Sequence, residues 1–233
     1  MCTVVVEVPD RPDDPTRVLA VRDEDPLRAW DPPGEWWEAH PGVIGVRDRR
    51  AGGAWLAADG SRGALAVLVN RATPPLDPAD APESRGTLPL AVIAGEPVPE
   101  RPRTEGFNLI EVDGGRCRVT SWDGSELSTQ QLRPGVHMIA HDDVDDPRTA
   151  RIRRWLPEFA ALAGLPNDDW REAWLGLLRS TTAVGPLDDQ AIIRDNHPYG
   201  IPTMSLLICT AEVREGAVDL DSIVLPTPGV WAG

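Results

Sequence analysis

The second residue of this chain is the first that could do covalent chemistry. The sequence opens Met1-Cys2-Thr3, and a small second residue permits removal of the initiator methionine. Cys2 would then carry both a thiol and a free α-amine, whose pKa of about 7.7 to 8.0 leaves roughly a fifth of it neutral at pH 7 to take the thiol proton. This arrangement predicts an N-terminal nucleophile. The alternative is an incidental Cys2, because many chains begin this way by chance.

Further motifs follow Cys2 at defined spacings. Arg22-Asp23-Glu24 follows Val21, so the segment matches an Asn-Arg-Asp-Glu signature apart from its first residue. The stretch from Trp37 to Leu56 is similar to a Gly-Gly-Arg-Asp…Gly-Gly-Thr-Trp-Leu block. Three more segments agree in order and spacing: a strand-like run that ends at Asn70, Ser84-Arg85-Gly86, and Gly106-Phe107-Asn108-Leu109.

These motifs resemble those of the Asn-Arg-Asp-Glu family, also called the transport and Golgi organisation protein 2 family, within the N-terminal-nucleophile hydrolase superfamily. The resemblance covers nearly the whole chain and is weaker in the last third. It implies an α+β fold, a four-layer α-β-β-α sandwich of N-terminal-nucleophile hydrolase type, in which the nucleophile starts a central strand. We expect one such domain over residues 1–233.

The resemblance also implies catalytic roles. In the related choloylglycine and penicillin V acylases an arginine and an aspartate orient the nucleophile and an asparagine helps to hold the oxyanion, so the candidates here are Cys2, Arg22, Asp23 and Asn70. Asp23 would accept a hydrogen bond from the Cys2 amine, and Arg22 would lower the thiol pKa. Asn70 would donate to the oxyanion, a contact worth about 2.7–4 kcal/mol in a comparable site. The alternative for Arg22 and Asp23 is an ordinary ion pair at a strand end, and the alternative for Asn70 is an asparagine that simply ends a strand.

Three residues depart from the family pattern. Val21 replaces a polar residue, His141 stands where the family commonly has Ser-Asn-Ala, and Pro202 takes the place of an arginine. A histidine N–H can donate a hydrogen bond as an amide does, so His141 is a candidate substrate-binding residue. Trp37 and Asn108, from the matching motifs, are the other two candidates. Trp37 adjoins the glycine-rich block, where an indole would wall an apolar pocket or simply pack in the core.

The composition excludes several classes of partner. The 233 residues have a formal charge of −14, which argues against nucleic acid or an anionic membrane surface. The sequence has neither a secretory signal pattern nor an 18-residue apolar run, which predicts a cytoplasmic protein with no membrane insertion. Its three cysteines have no metal-type spacing, so we expect no metal and no cofactor. The expected partner is a small-molecule ligand or substrate.

The elements that position these residues are mostly strands at first and helices later. Alternating or β-branched apolar residues predict strands at 3–8, 17–21, 54–57, 63–70, 205–213 and 223–225, and a hairpin of 109–112 with 116–122. Apolar residues at helical spacing predict helices from Pro147 to Gly164 and from Asp168 to Arg179, and a helical turn from Pro89 to Ala94. The Pro- and Asp-rich stretch 72–85 predicts a surface loop.

Two functions of different classes fit these features. The first is an amidohydrolase that attacks a non-peptide C–N bond through a Cys2 thioester, and it requires that Met1 be removed. The second is a non-catalytic carrier or chaperone of an apolar small molecule such as haem or an acyl lipid, favoured by the apolar residues Val21 and Pro202. The first predicts that Cys2→Ala abolishes acyl transfer, whereas the second predicts binding that does not depend on Cys2.

Overall fold

Two antiparallel sheets make up most of the structure, a computed structural model that describes residues 2–11, 13–73 and 83–231. The five-stranded sheet has the order β10-β1-β2-β11-β12, and the seven-stranded sheet runs from β3 to β9 in sequence order. The first contains β1 (Thr3–Val8), β2 (Thr16–Glu24), β10 (Gly135–Ile139), β11 (Met204–Arg214) and β12 (Ala217–Val224). The second contains β3 (Trp30–Glu35), β4 (Val43–Asp48), β5 (Ala54–Asp59), β6 (Ala64–Asn70), β7 (Phe107–Asp113), β8 (Arg116–Trp122) and β9 (Leu127–Gln131).

The sheets pack face to face because each has an apolar inner face. Side chains alternate between the two faces of a strand, so Val4 and Val6 of β1 meet Val67 and Val69 of β6 in one buried cluster. Cys2 belongs to the same cluster. Its thiol therefore lies between the sheets, at the start of an interior strand flanked by β10 and β2.

Three α-helices cover the outer faces within the described part of the chain. The helix α1 (Thr87–Ile93) packs on the seven-stranded sheet, and α2 (Ala150–Ala160) and α3 (Trp170–Thr181) pack on the five-stranded sheet. On that second face Trp174 makes edge-to-face contacts with Phe159 and Trp170, with ring centroids 5.6 and 5.4 Å apart. Such pairs contribute about 0.5–1.5 kcal/mol each beyond the burial of their surface.

The α+β class is confirmed, as are β1 and the hairpin of β7 and β8, in which Asp113 pairs with Arg116. The predicted helix start at Pro147 is wrong, since α2 begins at Ala150. The Asp146 carboxylate accepts the backbone N–H of Arg148 at 2.8 Å, and its carbonyl accepts that of Thr149 at 3.1 Å. These bonds form a turn that competes with the helix.

Four strands gave no clear sequence signal, namely β3, β4, β9 and β10. Strand β3 contains Pro32, Pro33 and Gly34, which argue against a strand, but it is an edge strand that pairs with β4 alone. Pro32 and Pro33 fall in the irregularity between Asp31 and Gly34, where they pair with no residue of β4. Edge strands and bulges tolerate proline because no ladder hydrogen bond from its nitrogen is needed there. Residues 74–82 of the predicted 72–85 loop lie outside the described residues. No helix in the described ranges is long and apolar enough to cross a membrane.

Candidate functional site

The Cys2 thiol is held against the end of β2. Strands β1 and β2 pair with Thr3 opposite Val21, which brings Cys2 to the Arg22-Asp23 segment. The Cys2 Sγ accepts a hydrogen bond from the backbone N–H of Asp23 at 3.3 Å and lies 3.5 Å from the Asp23 carbonyl oxygen, to which the thiol donates. Cys2 is only 5% exposed. Met1, whose removal the hydrolase hypothesis requires, lies outside the described residues.

Burial dominates the acidity of this thiol. It raises the pKa of Cys2 above the ordinary value, and the charge of Asp23 raises it further. The charge of Arg22 lowers the thiol pKa as expected, but this effect is smaller than that of burial. With residue 1 attached, the thiol is therefore protonated at neutral pH.

Arg22 and Asp23 lie on opposite faces of the five-stranded sheet, because successive side chains of a strand alternate. On the inner face, the Arg22 guanidinium lies 5.2 Å from the centre of the Trp30 ring and 3.3 Å from Glu24 Oε2. On the outer face, Asp23 Oδ1 accepts the Ser205 hydroxyl at 2.6 Å. The ion pair of Arg22 is thus made with Glu24.

A cleft of about 650 Å³ opens beside Arg22, and we call it the Arg22 cleft. Asn70, the exposed last residue of β6, lines the same cleft. The structure therefore brings these two candidates together, while Cys2 is not among the residues that line the cleft. The charged residues of the wall are Arg22, Arg28, Arg50 and Arg85, with Glu24, Asp48, Glu83 and Glu105.

Two nitrogens of Arg22 have no hydrogen-bond partner among the residues that the structure describes. Its Nε and Nη1 are buried and unpartnered within the described ranges, although the side chain lines the cleft. Burial lowers the pKa of the Arg22 guanidinium. An unpaired buried donor costs about 1–3 kcal/mol, so an acceptor oxygen of a ligand would be stabilised here.

Arg85 is a further cation of this cleft, which the sequence marked only through Ser84-Arg85-Gly86. Its Nη1 donates to the Gly106 carbonyl at 2.9 Å, and its Nη2 lies 3.2 Å from Glu105 Oε2. Burial lowers its pKa, and among smaller effects the charge of Cys2 raises it. The same interaction with Cys2 acts on Arg22 and Arg151. Three guanidinium groups therefore favour the thiolate.

Asn108 lies on β7 with its side-chain amide engaged inside the protein. Its Nδ2 donates to the carbonyls of Ala140 and Asp142 at 2.9 and 2.8 Å, and its Oδ1 accepts the Ser121 hydroxyl at 2.7 Å. A fourth bond comes from Arg71 at 3.3 Å. These contacts fix the segment that carries His141.

His141 lies on the other side of the five-stranded sheet from the Arg22 cleft, in a cavity with Arg151. Its Nδ1 is 3.2 Å from Arg151 Nη2, and because a guanidinium only donates, this nitrogen accepts and Nε2 carries the proton. Burial, and then the charge of Arg151, lowers the pKa of His141 to about 4. His141 is therefore neutral at pH 7 and does not share a cavity with Asn70.

Trp37 lines neither the Arg22 cleft nor the cavity of His141. It packs on the outer face of the seven-stranded sheet with the cluster that includes α1, and its Nε1 donates to the Gly52 carbonyl at 2.8 Å. The three cysteines are buried, and burial raises the pKa of Cys209 to about 12. The described residues contain no group of three or more His, Cys, Asp or Glu side chains arranged to hold a metal ion.

Sequence reasoning missed two residues on the outer face, Asn196 and Arg151. Asn196 is fully buried, and its Nδ2 donates to Asp23 Oδ2 at 3.4 Å and to Thr203 Oγ1 at 3.0 Å. No local pattern marks it. Arg151 is also fully buried, and it stands four residues before the buried Trp155 on α2. That helical spacing was a signal, because residues four apart share a helix face.

Comparison with known proteins gives one family. The chain matches the family described as Transport and Golgi organisation 2 over residues 1–208. No curated protein matches the chain.

Proposed function

This chain belongs to the Transport and Golgi organisation 2 family, and from that premise we propose that it is an N-terminal-cysteine amidohydrolase acting on a non-peptide C–N bond of a small molecule. The observation that carries the proposal is the position of Cys2. Its sulfur accepts the Asp23 N–H at 3.3 Å, and a charge on the sulfur interacts with Arg22 and Arg85, which line the Arg22 cleft together with Asn70.

In the proposed reaction the mature chain begins at Cys2. The neutral α-amine takes the thiol proton, and the sulfur attacks the carbonyl carbon of the amide to form a C–S bond. The C–N bond then breaks, and the leaving amine receives the proton from the α-ammonium. Water attacks the thioester, which releases a carboxylic acid and restores the thiol.

The charges around Cys2 suit this chemistry. Arg22, Arg85 and Arg151 all interact favourably with a charge on the sulfur, and a new α-ammonium at Cys2 would add a fourth cation. The unpartnered Nε and Nη1 of Arg22 are donors for a substrate oxygen. Asn70 lies in the same cleft and would donate to the oxyanion.

The lining of the Arg22 cleft indicates the substrate class. Four arginines and four carboxylates surround its volume of about 650 Å³. Charged walls favour a polar or zwitterionic amide over a long acyl chain, because an apolar ligand would leave buried charges without solvent. We therefore expect a small polar amide as substrate.

The packing of the layers supports the finer fold assignment. Helices α2 and α3 lie outside one sheet, α1 lies outside the other, and the sheets pack on each other. This order is the one expected of a four-layer N-terminal-nucleophile sandwich. We accordingly propose a single domain of this type over residues 1–233. We also propose that the protein acts in the cytoplasm.

A carrier of an apolar small molecule is the second candidate. It is favoured by the burial of Cys2, whose pKa is raised, and by Val21, which is fully buried under the helices. The charged cleft weighs against haem or an acyl lipid. Equilibrium titration with haem and with an acyl lipid tests it: saturable binding, equal in wild type and Cys2→Ala, supports a carrier, and no binding excludes these ligands.

Intact-protein mass spectrometry before and after brief iodoacetamide treatment tests the hydrolase. We expect the mass of a chain that lacks Met1 and one fast label, which is lost in Cys2→Ala and kept in the matched variant Cys117→Ala. A screen of small polar amides should then give turnover in Cys117→Ala and none in Cys2→Ala. Retained Met1, or turnover that survives Cys2→Ala, would contradict the proposal.

A further inference from the structure

A second cavity lies on the outer face of the five-stranded sheet, away from the Arg22 cleft. It has a volume of about 270 Å³, and we call it the Arg194 cavity. The side chains that matter for its chemistry are His141, Arg148, Arg151, Asp189, Arg194 and Asn196.

The Arg194 cavity has an excess of positive charge. Arg148, Arg151 and Arg194 line it, with Asp189 as the one carboxylate among its described lining residues. Arg148 is exposed and pairs with Asp146, which does not line the cavity, so the buried positive charge is that of Arg151 and Arg194. Arg151 is 0% exposed and Arg194 is 4% exposed. Each is close enough that the charge of Arg194 lowers the pKa of Arg151, after the larger effect of burial. The charges of Asp23 and Asp142 offset part of this repulsion at Arg151. A bound anion would offset more of it, because two buried cations side by side are costly unless anions lie with them.

Arg194 has no carboxylate partner among the described residues. Its guanidinium lies 5.4 Å from the centre of the Tyr199 ring, and its Nε is buried without a hydrogen-bond partner there. Buried polar groups in folded proteins are nearly always hydrogen-bonded. An arginine that lines a cavity with an unused buried donor is therefore suited to bind an oxyanion, which forms strong charge-assisted hydrogen bonds with guanidinium.

Asn196 adds an unused acceptor to the same cavity. Its Nδ2 bonds to Asp23 and Thr203, whereas its Oδ1 is buried without a partner in the described part of the chain. A carboxylate ion has no proton to offer this oxygen at neutral pH. A hydrogen phosphate or a phosphate monoester has both anionic oxygens and, in its protonated form, an O–H donor.

The pKa of His141 is also affected by the positive charges of this cavity. The charges of Arg151 and Arg194 both lower the pKa of His141, after the larger effect of burial. The imidazole therefore stays neutral at pH 7 and adds no charge of its own. Its Nδ1 accepts from Arg151, which aligns that guanidinium along the wall of the cavity.

We propose that the Arg194 cavity binds a phosphate group, either as free hydrogen phosphate or as the end of a small phosphate monoester. The anionic oxygens contact Arg194 and Arg151, and a protonated oxygen donates to Asn196 Oδ1. The linings of the Arg194 cavity and the Arg22 cleft share no residue, and phosphate binding does not require turnover at Cys2, although Arg151 interacts with both sites.

Isothermal titration calorimetry of the full chain with inorganic phosphate, at constant ionic strength set with sodium chloride, tests the proposal. We expect one saturable site and at least tenfold weaker binding in Arg194→Gln. Arg153→Gln, on the exposed side of α2, and Arg85→Gln, in the Arg22 cleft, should bind as wild type does. No saturable binding, or wild-type binding by Arg194→Gln, would overturn the proposal, as would a loss confined to Arg85→Gln.

Two additions keep the test decisive. Circular dichroism checks that Arg194→Gln folds; if it does not, Arg194→Lys replaces it, and binding in that variant should be weakened because lysine lacks the planar donor pair. Acetate and methyl phosphate serve as further probes of the wild type. Acetate that binds as tightly as phosphate would contradict the inference, whereas tighter binding of methyl phosphate assigns the site to a monoester and tighter binding of phosphate to the free ion.

Discussion

Asp23 Oδ1 accepts a hydrogen bond from the Ser205 hydroxyl at 2.6 Å, and both side chains are buried. Ser205 lies opposite Asp23 in the pairing of β11 with β2, and its Oγ also accepts the backbone N–H of Arg194 at 3.0 Å. The Ser205 hydroxyl thus joins β2, against whose end Cys2 lies, to the segment that carries Arg194.

Removing that hydroxyl should destabilise the fold. Ser205→Ala leaves a buried oxygen of Asp23 and a buried N–H of Arg194 with one partner fewer, so we expect a loss of about 1–3 kcal/mol in the free energy of unfolding. Urea denaturation followed by tryptophan fluorescence measures it. Ser128→Ala, at an exposed position on the edge strand β9, is the control and should change stability by less than about 0.5 kcal/mol.

Two asparagines on neighbouring strands should separate stability from chemistry. Asn108→Ala removes four hydrogen bonds from a buried amide, and we expect a cost of about 2–4 kcal/mol because each bond contributes about 1 kcal/mol. Asn70→Ala, at an exposed strand end, should leave the unfolding midpoint nearly unchanged while reducing turnover of a small polar amide. An Asn108→Ala variant as stable as wild type would contradict the positioning role.

The reactivity of Cys2 should depend on the cations around it. Arg85→Gln removes a charge that favours the thiolate, so the thiol pKa should rise, and alkylation at pH 7 should slow about tenfold for each unit of that rise. The rate of Cys2 labelling is read by mass spectrometry across pH 6–10. Arg50→Gln, exposed on the rim of the same cleft, is the matched control. A profile that does not move in Arg85→Gln would show that this cation does not act on the sulfur.

His141 should make the protein less stable in mild acid. Its pKa is lowered from 6.5 to about 4 on folding, so the unfolded chain binds a proton between these values and the folded chain does not. The contribution of neutral His141 to the free energy of unfolding is therefore complete above pH 6.5 and is lost as the pH falls through 4. The loss is at most about 3 kcal/mol before solvent screening is considered.

The measurement is a set of urea denaturations from pH 7.5 to 4, compared with His141→Gln, whose curve should be flatter. His137 is the internal contrast: its hydrogen bond to Asp145 raises the pKa, so its contribution is present at low pH and is lost as the pH rises through the folded-state value. Equal slopes in wild type and His141→Gln would refute the assignment.

The sequence predicted those parts of the structure whose cause is local. The β-branched run from Thr3 to Val8 specifies β1. Of the residues that motif resemblance singled out, Arg22 and Asn70 line one cleft, while their catalytic roles stay a prediction. Asn196 bonds to Asp23 across 173 positions, and no local pattern encodes such a contact. Strand β3 was missed because its two prolines fall in an irregularity of an edge strand, and both features depend on the pairing in the fold rather than on local sequence.

Because side chains alternate along β2, a single layer of backbone separates two differently charged chambers. Arg22 lines the Arg22 cleft on one face of the sheet, and its immediate neighbour Asp23 accepts a hydrogen bond from Asn196 on the other face. A single-residue slip of β2 would exchange them, since every side chain would turn to the other face. The double variant Arg22→Asp with Asp23→Arg has the same composition and net charge, yet it would put each charge in the wrong chamber. At this point in the sheet, the order of Arg22 and Asp23 matters as much as their identity, because the order decides which face carries each charge.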